Sequence, residues 1–376
     1  MPLNQRLKKT AVLLLKIGVA AGLIAWLMHK GQLDLRRIGG TIRDHPAGML
    51  LALLMYNGCV VLTANRWRML LIAQGIPATR RDCVGLGYIG AFFSTFLPGG
   101  TGGDIVKAIY IARDSHKKAE AVTTVFLDRV FGLYCMVTFA AAAILFRAGV
   151  LWHASAEPAV FGLTQPQCLV IVVVGVFLAG TLGLAVVLSS HWRRLTHFLL
   201  DRVPVVGPVL KRVYEAVYLY RGHKGVLLKF VAYSLASHTM IVVSLFIVGY
   251  SFGDRLDPVA NPMDPIAHGG PRALNYFFLI LLGLVVNGLP ITPAGIGAFE
   301  VALPFLFGAL LLPGEPNLGS NIALTGHLIF LLTNQIGLVF FLKGRRRVAE
   351  AVAEAAQASG SAHENPAPLA SAQRSD

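Results

Sequence analysis

Two proline–glycine breaks interrupt long apolar segments in opposite halves of the chain, and each break leads to an acidic residue. The first break runs from Leu97 to Asp104 and the second from Leu289 to Glu300. A helix that breaks inside lipid leaves N–H and C=O groups without partners, which is tolerated only where protein or a water-filled cavity surrounds them. Corresponding breaks in two halves are typical of transporters, whose substrate site lies between inverted repeats. The breaks therefore predict a transport site inside a membrane.

The composition indicates a polytopic membrane protein. Of the 376 residues, 55% are apolar and only 14% are charged, whereas a soluble protein carries about 25% charged residues. The net charge of +14 resides mostly between and after the apolar runs, as in membrane proteins, so it does not predict nucleic-acid binding. The four cysteines form no C-x-x-C or Cys/His cluster. We therefore expect no metal site and no cofactor.

Uninterrupted apolar segments predict the membrane spans, because a crossing needs about 20 apolar residues. The predicted spans are 10–28, 46–64, 120–147, 168–190, 226–250 and 321–342. The first follows a basic N-terminal stretch without a cleavage signal, so we predict an uncleaved first helix. The two broken regions, about 83–114 and 273–312, would form either re-entrant half-helices or pairs of tilted crossings.

The distribution of lysine and arginine predicts that both termini face the cytoplasm, because cytoplasmic loops of membrane proteins carry the basic excess. The basic regions are 65–82, 113–118, 191–225 and the stretch after Lys343, whereas 148–167 and 313–320 contain no lysine or arginine. One segment disagrees: residues 29–45 are predicted to lie outside and yet carry four basic residues. With this orientation the first broken region begins and ends at the cytoplasmic side, and the second at the outer side.

The predicted fold is an all-α polytopic membrane protein, built as an inverted-topology repeat with two broken or re-entrant helix elements. The transmembrane domain would cover residues 1–348, with repeat halves of about 46–147 and 226–342. Apolar and basic residues mix in 191–225, so this segment is predicted to lie along the cytoplasmic surface. Residues 349–376, rich in alanine and serine, are predicted to form a disordered cytoplasmic tail.

Charged residues inside the spans are the strongest candidates for a substrate site, because each costs about 2.5–3.5 kcal/mol to insert without a partner or water. Asp128 and Arg129 lie about two turns inside a helix that starts near Glu120. Adjacent residues point about 100° apart on a helix, so we expect each to have a partner elsewhere or to face a cavity. In the functional interpretation, a cationic or zwitterionic headgroup binds the acidic residues and a phosphate binds Arg129. The structural alternative is an ion pair, such as Arg129 with Asp104 or Glu300.

The first break also predicts a backbone loop for a phosphate or headgroup. The loop residues are Gly99, Gly100, Thr101, Gly102 and Gly103. They precede a helix predicted from Ile105 to Ala112, and the N–H groups at a helix N-terminus favour an anion. Lys107 adds positive charge one turn later, but no P-loop is present, so nucleotide hydrolysis is not predicted. Asp104 would repel a close phosphate, which favours a zwitterionic headgroup or a pairing role; alternatively, it only caps the helix.

For most of the other polar residues in apolar surroundings, the sequence predicts structural roles. Asn65-Arg66-Trp67-Arg68, at the end of the second span, is predicted to anchor the helix at the membrane surface. Asn287, just before the second break, could bond across helices or line the substrate path. His238 and His327 are predicted to be core histidines. The sequence contains no Ser/His/Asp arrangement or metal-ligand spacing that would predict a hydrolase.

The motifs of the chain resemble those of the flippase-like integral membrane family, which includes the transmembrane part of lysylphosphatidylglycerol synthetases. The resemblance covers about residues 10–345 and rests on Asn65-Arg66-Trp67, Tyr88–Phe93, Leu97–Asp104, Asp128-Arg129-x-x-Gly132 and Pro293-x-Gly295-x-Gly297-x-x-Glu300. It implies a lipid path that involves Asp104, Asp128, Arg129 and Glu300. Bifunctional members carry a soluble aminoacyl-transferase domain after the membrane part. This chain has only a short tail after Arg347, so we do not expect synthase activity.

The sequence therefore predicts a multi-pass protein of the cytoplasmic (inner) membrane that flips or scrambles a lipid. The resemblance implies that the cargo is an anionic or modified phospholipid, or a polyprenyl- or hopanoid-type lipid, and that lipid-biosynthesis enzymes are candidate partners. Transport would run downhill, or be coupled to protons through Asp128 or Glu300, and no enzyme activity is expected. One alternative is a membrane-embedded transferase, or its accessory subunit, with a divalent metal on Asp104 and Asp128. Another is a structural partner in a lipid-synthesis complex.

Overall fold

The computed structural model describes most of the membrane part of the chain. The described residues are 29, 35–96, 102–113, 115–146, 152, 158–160, 163–189, 198, 202, 211, 214–215, 217–218, 220–252, 272–288, 298–310 and 316–343. Five predicted features therefore lie wholly or mostly outside the described residues. They are the first span (10–28), the two breaks (Leu97–Asp104, of which 97–101 are outside, and Leu289–Glu300, of which 289–297 are outside), the surface segment (191–225) and the tail (349–376).

Ten α-helices form nearly all of the regular structure of the described residues, which confirms the predicted all-α fold class. They are α1 (Leu35–Asp44), α2 (Pro46–Ala73), α3 (Arg80–Phe96), α4 (Gly102–Arg113), α5 (Lys118–Phe146), α6 (Gln165–Leu188), α7 (Lys224–Ser251), α8 (Arg272–Gly288), α9 (Ala298–Leu310) and α10 (Pro316–Lys343). A short antiparallel hairpin, β1 (Pro158–Val160) with β2 (Leu163–Thr164), precedes α6, and a 3-10 turn at Tyr220–Gly222 precedes α7.

Five of these helices are long and apolar enough to span a membrane. The apolar stretches are Pro46–Ala73, Lys118–Phe146, Val170–Val187, Lys224–Ser251 and Leu318–Lys343, and they coincide with five of the six predicted spans. Large apolar side chains such as Leu178, Leu182 and Leu228 are exposed on them. Helices that expose this much apolar surface suit contact with lipid tails rather than with water. The prediction of a multi-pass membrane protein is confirmed.

The two broken regions each contain two shorter helices that pack against each other, α3 with α4 and α8 with α9. The first helix of each pair has 17 residues, a length of roughly 26 Å at 1.5 Å per residue. In the first pair the two backbones are in direct contact. They approach so closely that a Cβ added to Gly103 would lie only 1.9 Å from the carbonyl oxygen of Gly90. α4 begins at Gly102 rather than at the predicted Ile105. Glycines can enter the helix here and bring it against α3.

The helices of the two predicted halves, α2–α5 and α7–α10, contact each other in matched pairs. The contact of α3 with α10 corresponds to the contact of α8 with α5 in the other half. In the same way, the contact of α2 with α10 corresponds to that of α7 with α5. α2 and α7 pack along each other. An inverted-topology repeat would produce such pairing, although the opposite orientation of the halves stays a prediction.

The basic segment 29–45, which disagreed with the orientation rule, contains the amphipathic helix α1. Ile38 is buried, and the guanidinium of Arg37 donates to the carbonyl oxygen of Phe252 at 3.4 Å.

At the other end of the bundle, Tyr220 is fully buried and donates its hydroxyl to the Leu70 carbonyl at 3.1 Å. Burial raises the pKa of Tyr220 to about 12, so the hydroxyl stays protonated and can donate this bond.

Candidate functional site

A cavity of about 390 Å³ lies among α2, α3, α4, α5, α7, α8 and α10. Its lining residues fall near the middle of each long helix: between Tyr56 and Trp67 on α2, Asp128 and Met136 on α5, Ser237 and Ile241 on α7, and His327 and Asn334 on α10. The cavity therefore lies at mid-depth of the predicted membrane layer. Its volume is within the range of small-ligand sites.

The cavity brings together most of the predicted substrate-binding residues. Asp104, Lys107, Asp128, Arg129 and Asn287 all line it. Glu300 is buried in the first turn of α9 and contacts Nδ1 of His327, whose ring lines the cavity. Of the predicted glycine loop, Gly102 and Gly103 are buried in the first turn of α4. Gly99, Gly100 and Thr101 lie outside the described residues.

Asp128 forms a buried ion pair with Arg66 of α2. Arg66 and Asp128 are 5% and 4% exposed, and two parallel bonds join them, Nε to Oδ1 at 2.9 Å and Nη2 to Oδ2 at 3.1 Å. Nη1 of Arg66 donates to Ser234 Oγ at 3.2 Å, and the guanidinium lies 4.8 Å from the ring centre of Phe230. Such bidentate geometry is the strongest form of a carboxylate–guanidinium pair. As predicted, the partner of Asp128 is not its neighbour Arg129.

Gly132 and Trp67 complete the surroundings of this pair. A Cβ at Gly132, one turn after Asp128, would lie 2.7 Å from Nη2 of Arg66, so the glycine leaves room for the guanidinium. Trp67 is 1% exposed and donates its indole N–H to Thr124 Oγ1 at 3.2 Å. The prediction that Arg66 and Trp67 are surface anchors is therefore wrong. The second helix continues to Ala73 instead of ending near residue 64, which puts both side chains inside the bundle.

Asp104 is the centre of a second group of charges. Lys107 Nζ lies 2.6 Å from Oδ1 of Asp104, and Arg129 Nη1 lies 3.4 Å from Oδ2. Arg129 Nη2 also donates to the carbonyl oxygen of Gly288 at 3.4 Å. Asp104 is the third residue of α4, so its position fits the predicted pairing role better than a helix cap. Since Gly288 ends α8, the guanidinium of Arg129 connects the two broken regions.

The charges of the cavity do not balance. Among the described residues that line the cavity, Arg66, Lys107 and Arg129 are basic, and Asp104 and Asp128 are acidic, which leaves one more basic than acidic side chain in the lining itself. The carboxyl group of Glu300 lies behind His327, outside this count. Both carboxylates contact basic side chains, so a divalent metal on them would have to displace these partners. The described residues contain no group of three His, Cys, Asp or Glu side chains suited to a metal ion.

Several neutral polar residues of the cavity were not selected from the sequence as substrate-binding residues. His238 lines it from α7 and Asn334 from α10. Asn334 lies seven residues after His327, a spacing that places both on one face of a helix. Asn287, which the sequence did select, lines the cavity from α8.

The chain matches the family described as the lysylphosphatidylglycerol synthase TM region over residues 13–339. It belongs to this family. The matched range contains every cavity residue named above. A relative of similar length, UPF0104 membrane protein PH1989 of Pyrococcus horikoshii, is 22% identical over 311 residues, covering 79% of this chain and 87% of the relative. No solved structure matches the chain. The motif resemblance to the lysylphosphatidylglycerol synthase TM region is thus confirmed.

Proposed function

We propose that this protein moves a lipid with an anionic headgroup across the cytoplasmic membrane, with the headgroup passing through the central cavity. The observation that carries the proposal is the excess of positive charge at mid-depth, where three basic side chains line the cavity with two acidic ones. A phosphate that crosses hydrocarbon alone loses its hydration, which makes unaided crossing slow. A polar cavity at this depth replaces part of that hydration, while the tails remain in lipid.

Lys107 and Arg129 are the side chains best suited to contact a phosphate. Both line the cavity, and their side chains are 14% and 35% exposed, respectively, whereas Arg66 is enclosed by Asp128, Ser234 and the aromatic ring beside it. A guanidinium carries five N–H donors. Arg129 therefore keeps donors for a ligand beyond its bonds to Asp104 and Gly288. Charge-assisted bonds to phosphate are stronger than neutral ones.

Membership of this family supports a lipid as the cargo, but it does not identify the lipid. The family is named after the membrane region of an enzyme that modifies phosphatidylglycerol, and the candidate cargoes are anionic or modified phospholipids and polyprenyl- or hopanoid-type lipids. We further propose that both termini face the cytoplasm, on the basis of the lysine and arginine distribution. The proposed function contains no chemical step, so the protein acts as a transporter rather than an enzyme.

The test is lipid movement in proteoliposomes. Purified protein is reconstituted with acyl-labelled phosphatidylglycerol, phosphatidylcholine or a labelled polyprenyl phosphate, and the label in the inner leaflet is followed with a membrane-impermeant quencher. Wild type should accelerate movement of the anionic lipids over protein-free vesicles. Lys107→Met should slow it about 10- to 100-fold, the loss expected for a charge-assisted hydrogen bond.

The matched control is Lys229→Met. Lys229 is an exposed basic residue of α7 that does not belong to the cavity lining, so the same change of charge should leave transport unaltered. Movement of every lipid at the protein-free rate would refute the proposed function. Equal effects of Lys107→Met and Lys229→Met would show that net charge, not the cavity, controls the rate.

A further inference from the structure

A buried carboxyl–imidazole pair that the proposed function does not use lies beside the cavity. Glu300 and His327 are 1% and 2% exposed, and Nδ1 of His327 contacts Oε1 of Glu300. The rings of Phe299 and Phe330 stand nearly perpendicular to the imidazole, with ring centres 5.6 Å and 5.5 Å away, and fix its plane. The ring of His327 forms part of the cavity wall. The pair therefore connects a buried carboxylate to the interior of the cavity.

The contact between the two side chains assigns the protons of the imidazole. An ionised carboxylate only accepts hydrogen bonds, so Nδ1 of His327 carries the proton and donates it to Glu300. Nε2 is then the basic nitrogen of the neutral ring. A proton from water that binds at Nε2 forms the imidazolium, while Glu300 keeps its negative charge and its bond to Nδ1. Histidine is the side chain suited to this exchange near neutral pH.

The described aspartates of the cavity have partners that hold their charge fixed. Asp128 is bound by two parallel bonds to Arg66, and arginine stays protonated in proteins. Asp104 contacts two basic side chains. Protonation of either aspartate would weaken its charge-assisted bonds. Of Asp128 and Glu300, the two carboxylates considered for proton coupling from the sequence, the contacts therefore favour Glu300.

The ionisable groups around the pair are few. Glu300 is the only ionisable residue of α9, and His327 is the only one of α10 before Lys343. Charged residues are absent from the described side chains of α6 and α8, and those of α1, α3 and α7 are exposed. Around the cavity lie the five charged residues of its lining and three further ionisable side chains, Tyr56, Cys59 and His238. Nδ1 of His238 contacts the carbonyl oxygen of Ser234, which is not a counter-ion for a protonated ring.

Protonation of the pair changes the charge around the cavity by one unit. With a neutral imidazole, the three basic side chains of the lining are balanced by Asp104, Asp128 and Glu300. With an imidazolium, the same group of side chains carries a net charge of one positive unit. In a site of low dielectric constant, one unit of charge acts strongly on a charged headgroup of either sign. The affinity of the cavity for such a headgroup therefore depends on the protonation of His327.

We propose that the Glu300–His327 pair is a proton-binding site that makes transport depend on pH. The alternative is a pair that only joins α9 to α10. The effect on transport rests on the proposed function, whereas proton binding does not. The two parts are therefore tested separately.

Proton binding is tested by histidine hydrogen–deuterium exchange at the C2 carbon, measured by mass spectrometry on the full-length protein in detergent. The rate of this exchange follows the protonation of each ring. Between about pH 5 and pH 9 we expect a titration at His327. Glu300→Gln should move this titration to lower pH, because a neutral amide favours an imidazolium less than a carboxylate does. His45, which is exposed and outside the cavity lining, is the internal reference and should titrate alike in both proteins.

The effect on transport is tested in the proteoliposome assay, with equal pH on both sides of the membrane. Phosphatidylglycerol is the probe, because its phosphodiester keeps its charge over this range. The wild-type rate should change about tenfold with pH, the size of an interaction between two unit charges in a site of intermediate dielectric constant. His327→Gln should abolish the change, because glutamine can donate to Glu300 but does not titrate. His45→Gln is the matched control and should keep the wild-type profile.

Each part of the inference has its own refutation. A His327 exchange rate that does not titrate in this range, or a titration that Glu300→Gln leaves in place, would overturn the proton-binding site. Lipid movement by wild type that does not vary with pH, or a variation that His327→Gln retains, would overturn the control of transport. If His327→Gln does not fold, Glu300→Gln should move the transport profile to lower pH. Titration at His327 without movement of any lipid would support the proton-binding site and reject only the proposed function.

Discussion

Replacing one member of the Arg66–Asp128 pair should destabilise the protein far more than replacing both. The two side chains are about 5% exposed and share two hydrogen bonds. Asp128→Leu leaves the guanidinium buried without its counter-ion, and Arg66→Met leaves the carboxylate in the same position. Breaking a buried pair in this way costs about 3–5 kcal/mol. The double variant removes both charges and loses the further bonds of Arg66 to Ser234 and to the Asp128 carbonyl and its contact with the Phe230 ring, so we expect it to lie within about 2 kcal/mol of wild type.

The assay is reversible unfolding in mixed micelles, in which the fraction of sodium dodecyl sulfate is raised and tryptophan fluorescence is followed. Trp67, the sequence neighbour of Arg66, is one of the four tryptophans that contribute to the signal. The free energy of unfolding is measured for wild type, both single variants and the double variant. A double variant that loses as much as the sum of the single variants would refute the reasoning, because it would mean that the two charges do not depend on each other. Single losses below about 1 kcal/mol would show that water reaches the pair.

Three further predictions concern stability, and two of them use the same unfolding measurement. Gly132→Ala should lower the free energy of unfolding by about 1–3 kcal/mol, because its Cβ would overlap the buried guanidinium at 2.7 Å; Gly183→Ala, which meets nothing within 4 Å, should stay within about 1 kcal/mol of wild type. Gly103→Ala should prevent recovery of monodisperse protein on size exclusion, because 1.9 Å to a backbone oxygen exceeds what relaxation absorbs. Glu300→Gln should lower stability by about 1.5–3 kcal/mol through loss of its charged bond to a buried histidine, and a change below about 0.5 kcal/mol would contradict that role.

The positions of the membrane helices could be predicted from the sequence because hydropathy and helix length are local properties. The ends of the helices were harder to predict. Arg66 and Trp67 looked like the boundary of a span, yet α2 continues to Ala73. A charged residue marks the end of a span only when it remains unpaired, and the partner of Arg66 lies 62 residues away on another helix. Nothing local to α2 indicates that partner.

The charged residues of the candidate site could be predicted from the sequence, whereas its neutral polar residues could not. The sequence indicated that Asp128 and Arg129 require partners elsewhere, and the structure supplies Arg66 for one and Asp104 for the other. Intramembrane charges are rare, so each one is informative. Asparagine and histidine are less costly in a membrane helix, so Asn334 and His238 carried little signal until their bonding partners were known.

The direct backbone contacts of α3 restrict how the cavity could open. A Cβ at Gly103 of α4 would lie 1.9 Å from the Gly90 oxygen, and a Cβ at Gly337 of α10 would lie 2.1 Å from the Tyr88 oxygen. Packed helices shear past one another through small adjustments of the side chains between them, and the backbone-to-backbone approach at these two crossings leaves little room for such adjustment. We therefore expect α3, α4 and α10 to move together if the cavity opens. The hinge of any alternating motion belongs to joints outside that block, where side chains separate the helices.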